Sequence, residues 1–359
     1  MAEASCWYTE NPVSGKNGIH AQVVASLHRA GLTVHEHGGV QPNPVLSHVR
    51  TGVDLARGKN IAAVVAVGGG SVIDSAKAIA AGAVVDHDVW KFFTGRKSIR
   101  SALPVISVPT LAAAGSETNS GMVITNEEKR QKFGFGSRLL FPRTAILDPA
   151  ATFTVPAAHT AFGAVDIMAH ALEFYCTTME PFTPLQDRFV EALIRTVLQS
   201  CELAIANPAD YRARAELMWA SSLALNGILA AGLGKVGFPM HLIEHALSAL
   251  YDVPHGAGLA VVIPGWLTWQ ATGNPSRIAQ LAERVFDITS ADEPERARLG
   301  IEALKARFAG SGCPVSLPGL GVSGADIPAV AANAQAQAGI WRMPDYTAER
   351  IAAILNLCR

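Results

Sequence analysis

The sequence of 359 residues has almost no net charge and no long block of either sign. Its 29 lysines and arginines nearly balance its 30 aspartates and glutamates, which gives a formal net charge of -1. No basic stripe indicates a nucleic-acid partner, and no charged tail indicates a membrane surface. We therefore expect the partner to be a small molecule.

Cysteines and long apolar runs are also scarce. The five cysteines are scattered without C-x-x-C spacing, and no basic segment followed by an apolar run opens the chain. This pattern is typical of a reduced compartment and argues against a disulfide framework or a secreted precursor. The longest apolar stretches, such as residues 61–67, are too short to span a bilayer. We expect a cytoplasmic protein that does not insert into membranes.

A glycine-rich loop follows the most apolar segment of the first half. Residues 61–67 read IAAVVAV, a run typical of a strand buried on both faces of a parallel sheet. GGGS at 68–71 and a helical pattern at 72–81 come directly after it. Backbone N–H groups at such a helix start bind phosphate, and missing side chains let a pyrophosphate approach. The alternative is a tight turn without a ligand.

Further segments of the first half alternate like strands. Residues 32–37 and 104–108 are predicted strands, and 122–125 with 132–135 predict a hairpin around a charged turn. Residues 115–119 read GSETN, and such small hydroxyl and amide groups suit a nucleotide better than a core.

After Pro156 the strand-like alternation stops and long helical patterns follow. The fold class predicted from this change is α/β followed by all-α, with a first domain at residues 1–153 and a second at 154–359.

A carboxylate and several imidazoles lie in the helical half at helical spacing. Asp166 and His170 stand at i and i+4, as do His241 and His245, so each pair shares one helical face. A turn then leads to His255, which can fold back towards His241. A single buried histidine is more often a core residue than a ligand. One carboxylate with three imidazoles, however, is a set suited to a divalent first-row metal.

These motifs together resemble the iron-containing, or group III, alcohol dehydrogenases. The resemblance rests on GGGSVIDSAKAIA at 68–80, GSETN at 115–119, the Asp166 and His170 pair, and HLIEHALSALYDVPHG at 241–256. DVWKFFTG at 88–95 and LFPRTAILDP at 140–149 are most similar to the branch of butanol dehydrogenases and NADPH-dependent aldehyde reductases. The likeness extends from about residue 16 to the carboxyl terminus.

The resemblance implies a dehydroquinate-synthase-like fold with a Rossmann-like nucleotide-binding domain and a helical metal-binding domain. It also implies hydride transfer between NADP or NAD and a small aldehyde or primary alcohol, an iron or zinc ion, and a homodimer. The implied metal ligands are Asp166, His170, His241 and His255, the implied proton relay is His245, and the implied dinucleotide-binding residues are Gly69, Gly70, Ser71, Asp74, Thr110, Ser116, Asn119 and Lys132. Candidates for an apolar substrate wall, or else for core packing, are Phe92, Phe93, Phe238 and Trp266.

One part of the family pattern has no counterpart. Residues 8–12 resemble its opening strand and 13–18 resemble the segment after its first glycine-rich loop, so the buried strand and loop between them are expected to be missing. Either the sheet closes up, another segment replaces the strand, or the nucleotide site is degraded. A degraded site favours a lyase, an isomerase or a non-catalytic metal protein that has lost dinucleotide binding.

Overall fold

The structure, a computed structural model, describes the backbone of residues 5–8 and all atoms of residues 18–289 and 292–359. The chain divides into two compact units. One contains Met1–Pro156 and Asn207–Ser222, and the other contains Ala157–Ala206 and Leu223–Arg359. Residues 207–222 therefore lie in the first unit although they follow the predicted boundary.

The first unit contains a parallel sheet and a separate hairpin. Its strands are β1 (Ser5–Tyr8), β2 (Val64–Gly68), β3 (Val105–Pro109), β4 (Gly121–Asn126), β5 (Gln131–Gly136) and β6 (Thr144–Ala145). The parallel sheet has the order β1-β2-β3-β6, while β4 and β5 pair in antiparallel fashion. Every residue of β2 is buried, as the unbroken apolar run at this position predicted.

Strand β1 bears on the segment expected to be missing. It runs parallel to β2, with Ser5 opposite Val64 and Tyr8 opposite Val67. In the described sheet, β1 therefore occupies the place beside β2. The position of the expected glycine-rich loop falls within residues 9–17, which lie outside the described residues.

The helices described before residue 157, all in the first unit, are α1 (Ile19–Arg29), α2 (Leu46–Gly58), α3 (Gly70–Gly82) and α4 (Trp90–Phe93). Val65, Val67 and Val108 form a buried cluster on one face of the sheet, and α1 covers it with Ile19, Val23, Val24 and Leu27. The strand predicted at residues 32–37 is wrong: only a single bridge residue occurs there. Val34 does pack on the valine cluster. The alternating apolar pattern at 32–37 therefore reflects a packing contact and not a hydrogen-bonded strand.

The second unit is helical. The remaining helices are α5 (Ala157–Thr177), α6 (Pro184–Ala206), α7 (Tyr211–Leu225), α8 (Pro239–Tyr251), α9 (His255–Gly273), α10 (Ser276–Phe286), α11 (Glu293–Gly310), α12 (Ile327–Ile340) and α13 (Ala348–Asn356). Most of α7 is in the first unit. The predicted α/β plus all-α fold class is confirmed. Among the described residues, no helix is long and apolar enough to cross a bilayer.

Helices α5, α8 and α9 position the predicted metal ligands. Helix α5 is buried on almost every side between Thr160 and Cys176, so its polar residues are enclosed. Helix α8 ends at Tyr251, and its C-cap residue, Asp252, adopts the left-handed conformation at φ 51°. Pro254 then precedes α9, which begins at His255. This short turn returns His255 towards α8, as the sequence predicted.

Candidate active site

The predicted metal ligands come together around one carboxylate oxygen. Asp166 Oδ1 lies 3.4 Å from His241 Nε2 and 3.5 Å from His255 Nε2. His170 Nδ1 lies 3.5 Å from the same oxygen. The ligand atoms of Asp166, His241 and His255 all lie within 4.8 Å of one another. The structure thus brings together all four residues, with His170 beside the tightest set of three.

This donor set fits a divalent cation. Ligands about 2.1 Å from a tetrahedral ion are about 3.4 Å apart, the separation found around Asp166 Oδ1. That oxygen, His170 Nδ1 and His241 Nε2 are buried atoms that make no hydrogen bond among the described residues. Buried polar atoms without partners are rare in proteins and need an explanation. A cation shared by Asp166, His241 and His255 would satisfy Asp166 Oδ1 and His241 Nε2, with His170 Nδ1 beside them.

The electrostatics of the cluster also favour positive charge. Burial opposes ionisation of Asp166, but the surrounding histidines outweigh it and hold its pKa well below the ordinary value. Burial lowers the pKa of His170 to about 3, so this imidazole is neutral at pH 7. For His241 burial acts in the same direction, but Glu173 and Asp166 outweigh it and raise the pKa to about 10. The carboxylates therefore stabilise a positive charge beside His241.

Two glutamates that the sequence reasoning missed contact two of the histidines predicted to be metal ligands. Glu173 Oε2 lies 2.7 Å from His241 Nδ1, and Glu244 Oε2 is hydrogen-bonded to His255 Nδ1. Both carboxylates are fully buried. A signal was present in the repeated spacing H-x-x-E, since Glu173 follows His170 by three residues and Glu244 follows His241 by three.

His245 lies beside two of the predicted ligands. Its ring centroid is 5.6 Å from that of His255 and 6.1 Å from that of His241. Its Nδ1 is 3.2 Å from Gln337 Oε1, and the Trp341 ring meets it edge-on at 5.4 Å. Both partners lie at the carboxyl end of α12. This helix was not predicted from the sequence.

The candidate substrate-wall aromatics divide into one neighbour of the ligands and three packing residues. Phe238 meets the His241 ring edge-on at a centroid distance of 5.9 Å. Trp266 is buried and donates from Nε1 to the Tyr346 hydroxyl at 3.0 Å. Phe92 and Phe93 are fully buried in the first unit, where Trp90 stacks on Phe93. Of these four aromatics, Phe238 is the one that contacts a predicted metal ligand.

The predicted phosphate loop lies at the carboxyl end of β2 and starts α3. Gly69 is the N-cap residue and its carbonyl oxygen already accepts from Val72 N–H at 3.0 Å, so Gly70 and Ser71 carry the N–H groups of the first turn that have no intrahelical acceptor. A Cβ on Gly69 would meet only Leu111 at 3.5 Å, an ordinary contact, and one on Gly70 would meet Ala114 at 3.2 Å. Protein packing alone therefore does not require glycine at position 69, whereas the close approach of a pyrophosphate would.

Three predicted nucleotide residues, Asp74, Ser116 and Asn119, converge on a buried lysine. Lys77 Nζ donates to Ser116 Oγ at 2.9 Å, to Asn119 O at 3.0 Å and to Gly121 O at 2.7 Å. Ser116 Oγ in turn donates to Asp74 Oδ1 at 2.5 Å. The side chains of these three residues are thus engaged within the protein, and they shape the loop around residues 115–121.

The remaining predicted nucleotide residues make other contacts within the first unit. Thr110 follows β3 and donates its backbone N–H to Gly68 O at 3.0 Å, beside the glycine loop. Lys132 is buried on β5, and its Nζ donates to Asn43 Oδ1 at 2.9 Å. Ser71 lies in the first turn of α3.

A pair of serines on α7 anchors the same loop. Ser221 Oγ accepts hydrogen bonds from the backbone N–H groups of Ala113 and Gly115 at 3.1 and 3.0 Å. Ser222 Oγ donates to Glu117 Oε1 at 2.6 Å. Gly115 has φ +57°, and a Cβ there would lie 2.3 Å from Ser221 O. Gly115 is therefore required by both its conformation and its packing.

Comparison with known families matches both halves of the chain. Residues 5–149 match the model of the iron-containing alcohol dehydrogenases, and residues 160–357 match the model of the carboxyl-terminal domain of the Fe-containing alcohol dehydrogenase family. The chain belongs to the iron-containing alcohol dehydrogenase family.

Named relatives agree with this assignment. The chain is 43% identical to the probable NADH-dependent butanol dehydrogenase 1 of Bacillus subtilis over 95% of its length and 88% of the relative. It is 36% identical to the NADPH-dependent aldehyde reductase YqhD of Escherichia coli, covering 88% of this chain and 81% of that one. The crystal structure of NADH-dependent butanol dehydrogenase A from Thermotoga maritima superposes with a TM-score of 0.95 at 39% identity, over 99% of this chain and 91% of that chain.

The family resemblance and the branch predicted from the sequence are confirmed. So are the predictions of an oxidoreductase and of a divalent metal with NAD(P) as cofactors.

Proposed function

We propose that this protein interconverts small aldehydes and primary alcohols with NAD(P) and a divalent iron or zinc ion. The observation that carries the proposal is the buried Asp166 Oδ1, which has three imidazole nitrogens at 3.4 to 3.5 Å and no hydrogen bond among the described residues. The NADH- and NADPH-dependent relatives support the choice of reaction.

The proposed roles follow the donor chemistry of each residue. Asp166, His170, His241 and His255 would hold the cation. A bound cation would stabilise negative charge on the substrate oxygen, and a bound nicotinamide cofactor would supply or accept the hydride. His245, adjacent to the ligands but engaged with Gln337, passes a proton to or from the substrate oxygen.

The proposed cofactor site belongs to the first unit. Gly69, Gly70 and Ser71 offer backbone N–H groups to the pyrophosphate at the start of α3. Thr110 and Lys132 line the nucleotide, whereas Asp74, Ser116 and Asn119 hold its loop in shape through Lys77. We assign dinucleotide binding to residues 1–153 and metal binding to residues 154–359, and we propose a cytoplasmic homodimer.

The test is consumption of NADH and NADPH with butanal by protein loaded with iron or zinc. We expect turnover with at least one nucleotide, and loss of both bound metal and turnover in His241→Ala. His28→Ala, which removes an exposed histidine of α1, serves as the matched control and should keep both. Stoichiometric metal binding without oxidation of either nucleotide would contradict the dehydrogenase and favour a metalloenzyme of another class.

A further inference from the structure

Two fully buried glutamates each connect one helix to a ligand histidine of another. Glu173, on α5, meets His241 on α8, and Glu244, on α8, meets His255 on α9. The hydrogen-bond partner of each glutamate is thus a predicted ligand on another helix and not the histidine three residues before it. The contacts therefore form a chain from α5 through α8 to α9.

Glu173 also caps the helix that carries its histidine. Its Oε1 accepts hydrogen bonds from the backbone N–H groups of Met240 at 2.7 Å and His241 at 3.1 Å. The N-cap residue of α8, Phe238, has no side-chain cap of its own. One carboxylate thus satisfies the start of α8 and, through Oε2, holds the His241 ring.

Glu244 is held on its other side. Its Oε1 accepts a hydrogen bond from Ser248 Oγ, one turn further along α8. On α9, a Cβ at Gly258 would lie 2.8 Å from both Cγ and Oε1 of Glu244. Gly258 therefore leaves the space in which the Glu244 side chain reaches His255.

We propose that Glu173 and Glu244 are positioning residues that fix the tautomer and orientation of His241 and His255 and so set the affinity of the site for its cation. This inference rests on the proposed metal site. A carboxylate that accepts the Nδ1–H leaves Nε2 with its lone pair, and both Nε2 atoms face Asp166 Oδ1. The proximity of Glu244, His245 and His255 to one another is explained by the same hydrogen bond, without a second ion.

The experiment compares Glu173→Gln and Glu244→Gln with the wild type. Zinc affinity is measured by competition with a chelator, and the absorption spectrum of the cobalt(II)-loaded protein reports ligand geometry. Loss of such an outer partner weakens metal binding by about 10- to 100-fold, and we expect a weakening in that range with an altered cobalt spectrum.

Glu191→Gln is the matched control. Glu191 is a buried glutamate of α6 that pairs with Tyr175, Arg188 and Arg284, away from the ligands. Its substitution should leave zinc affinity and the cobalt spectrum unchanged, although it removes the same kind of buried charge.

The inference is overturned if folded Glu173→Gln and Glu244→Gln bind zinc as tightly as the wild type with an unchanged cobalt spectrum. Should Glu173→Gln lose its fold because α8 is uncapped, Glu244→Gln decides alone, since it leaves the Glu173 cap of α8 in place. A wild type that binds no zinc at all would instead refute the proposed metal site, so the two failures are distinguishable.

Discussion

Replacing Lys77 by methionine is expected to change how the stability of the protein depends on pH. Lys77 is fully buried, and burial lowers its pKa from 10.5 to about 8, although Asp74 and Glu117 attract its charge. Below pH 8 both the folded and the unfolded chain hold the proton. As pH rises from 8 to 10.5, the folded state releases it first, so the wild type gains stability relative to a variant without the group.

The size of the effect follows from the two pKa values. With 10.5 in the unfolded chain and about 8 in the folded one, the free energy of unfolding rises by about 2.5 kcal/mol between pH 7 and pH 10. At pH 7 the variant should itself be less stable by about 3 kcal/mol, because removing Lys77 leaves Asp74 and Glu117 without their buried cation.

The assay is urea unfolding followed by circular dichroism at pH 7, 8, 9 and 10 for wild type and Lys77→Met. Subtracting the free energy of unfolding of the variant from that of the wild type at each pH removes the contributions of the other groups that titrate in this range. Lys97→Met, which removes an exposed lysine of the same unit, should run parallel to the wild type. A difference between wild type and Lys77→Met that stays constant from pH 7 to pH 10 would refute the reasoning.

Three further outcomes are expected. Gly115→Ala should lower the free energy of unfolding by about 2 kcal/mol or more and raise the KM for the nucleotide, because its Cβ would lie 2.3 Å from Ser221 O. Gly58→Ala is the control: a Cβ there would meet nothing within 4 Å, so urea unfolding should show a neutral or stabilising effect. Ser221→Ala should cost about 2 kcal/mol by the same measurement, since two backbone N–H groups lose their acceptor; an unchanged midpoint would contradict this. Stripping the metal with a chelator should lower the melting temperature, because a free ion at a thousand times its Kd stabilises the folded state by about 4 kcal/mol. His241→Ala should show no such shift in calorimetry.

Much of the predicted metal site could be inferred from the local spacing of its residues. Side chains at i and i+4 share a helical face whatever the rest of the chain does, so Asp166 and His170 could be paired from the sequence, and the turn at Asp252 could be expected to return His255. The buried strand before the glycine loop was predictable for a similar reason, because a continuous apolar run of that length requires two covered faces.

Contacts that depend on how helices pack were not predictable. Glu173 and Glu244 each follow a predicted ligand histidine by three residues, yet Glu173 on α5 bonds to His241 on α8, and Glu244 on α8 bonds to His255 on α9. Helix α12 was not predicted, because IPAVAANAQAQAGI is rich in small residues and has no clear apolar stripe. The contacts of Gln337 and Trp341 with His245 were therefore not predicted either.

The sequence by itself determined the donor chemistry and the local segments that carry it, since residue type and helical or strand period are properties of neighbouring residues. Only the tertiary structure decided which donors are already satisfied. It showed Asp74, Ser116 and Asn119 engaged around Lys77, and left Asp166 Oδ1 buried without a hydrogen bond from any described residue. The hydrogen-bond partners of a buried group come from segments that are distant in the chain, so no local sequence pattern predicts whether the group has them.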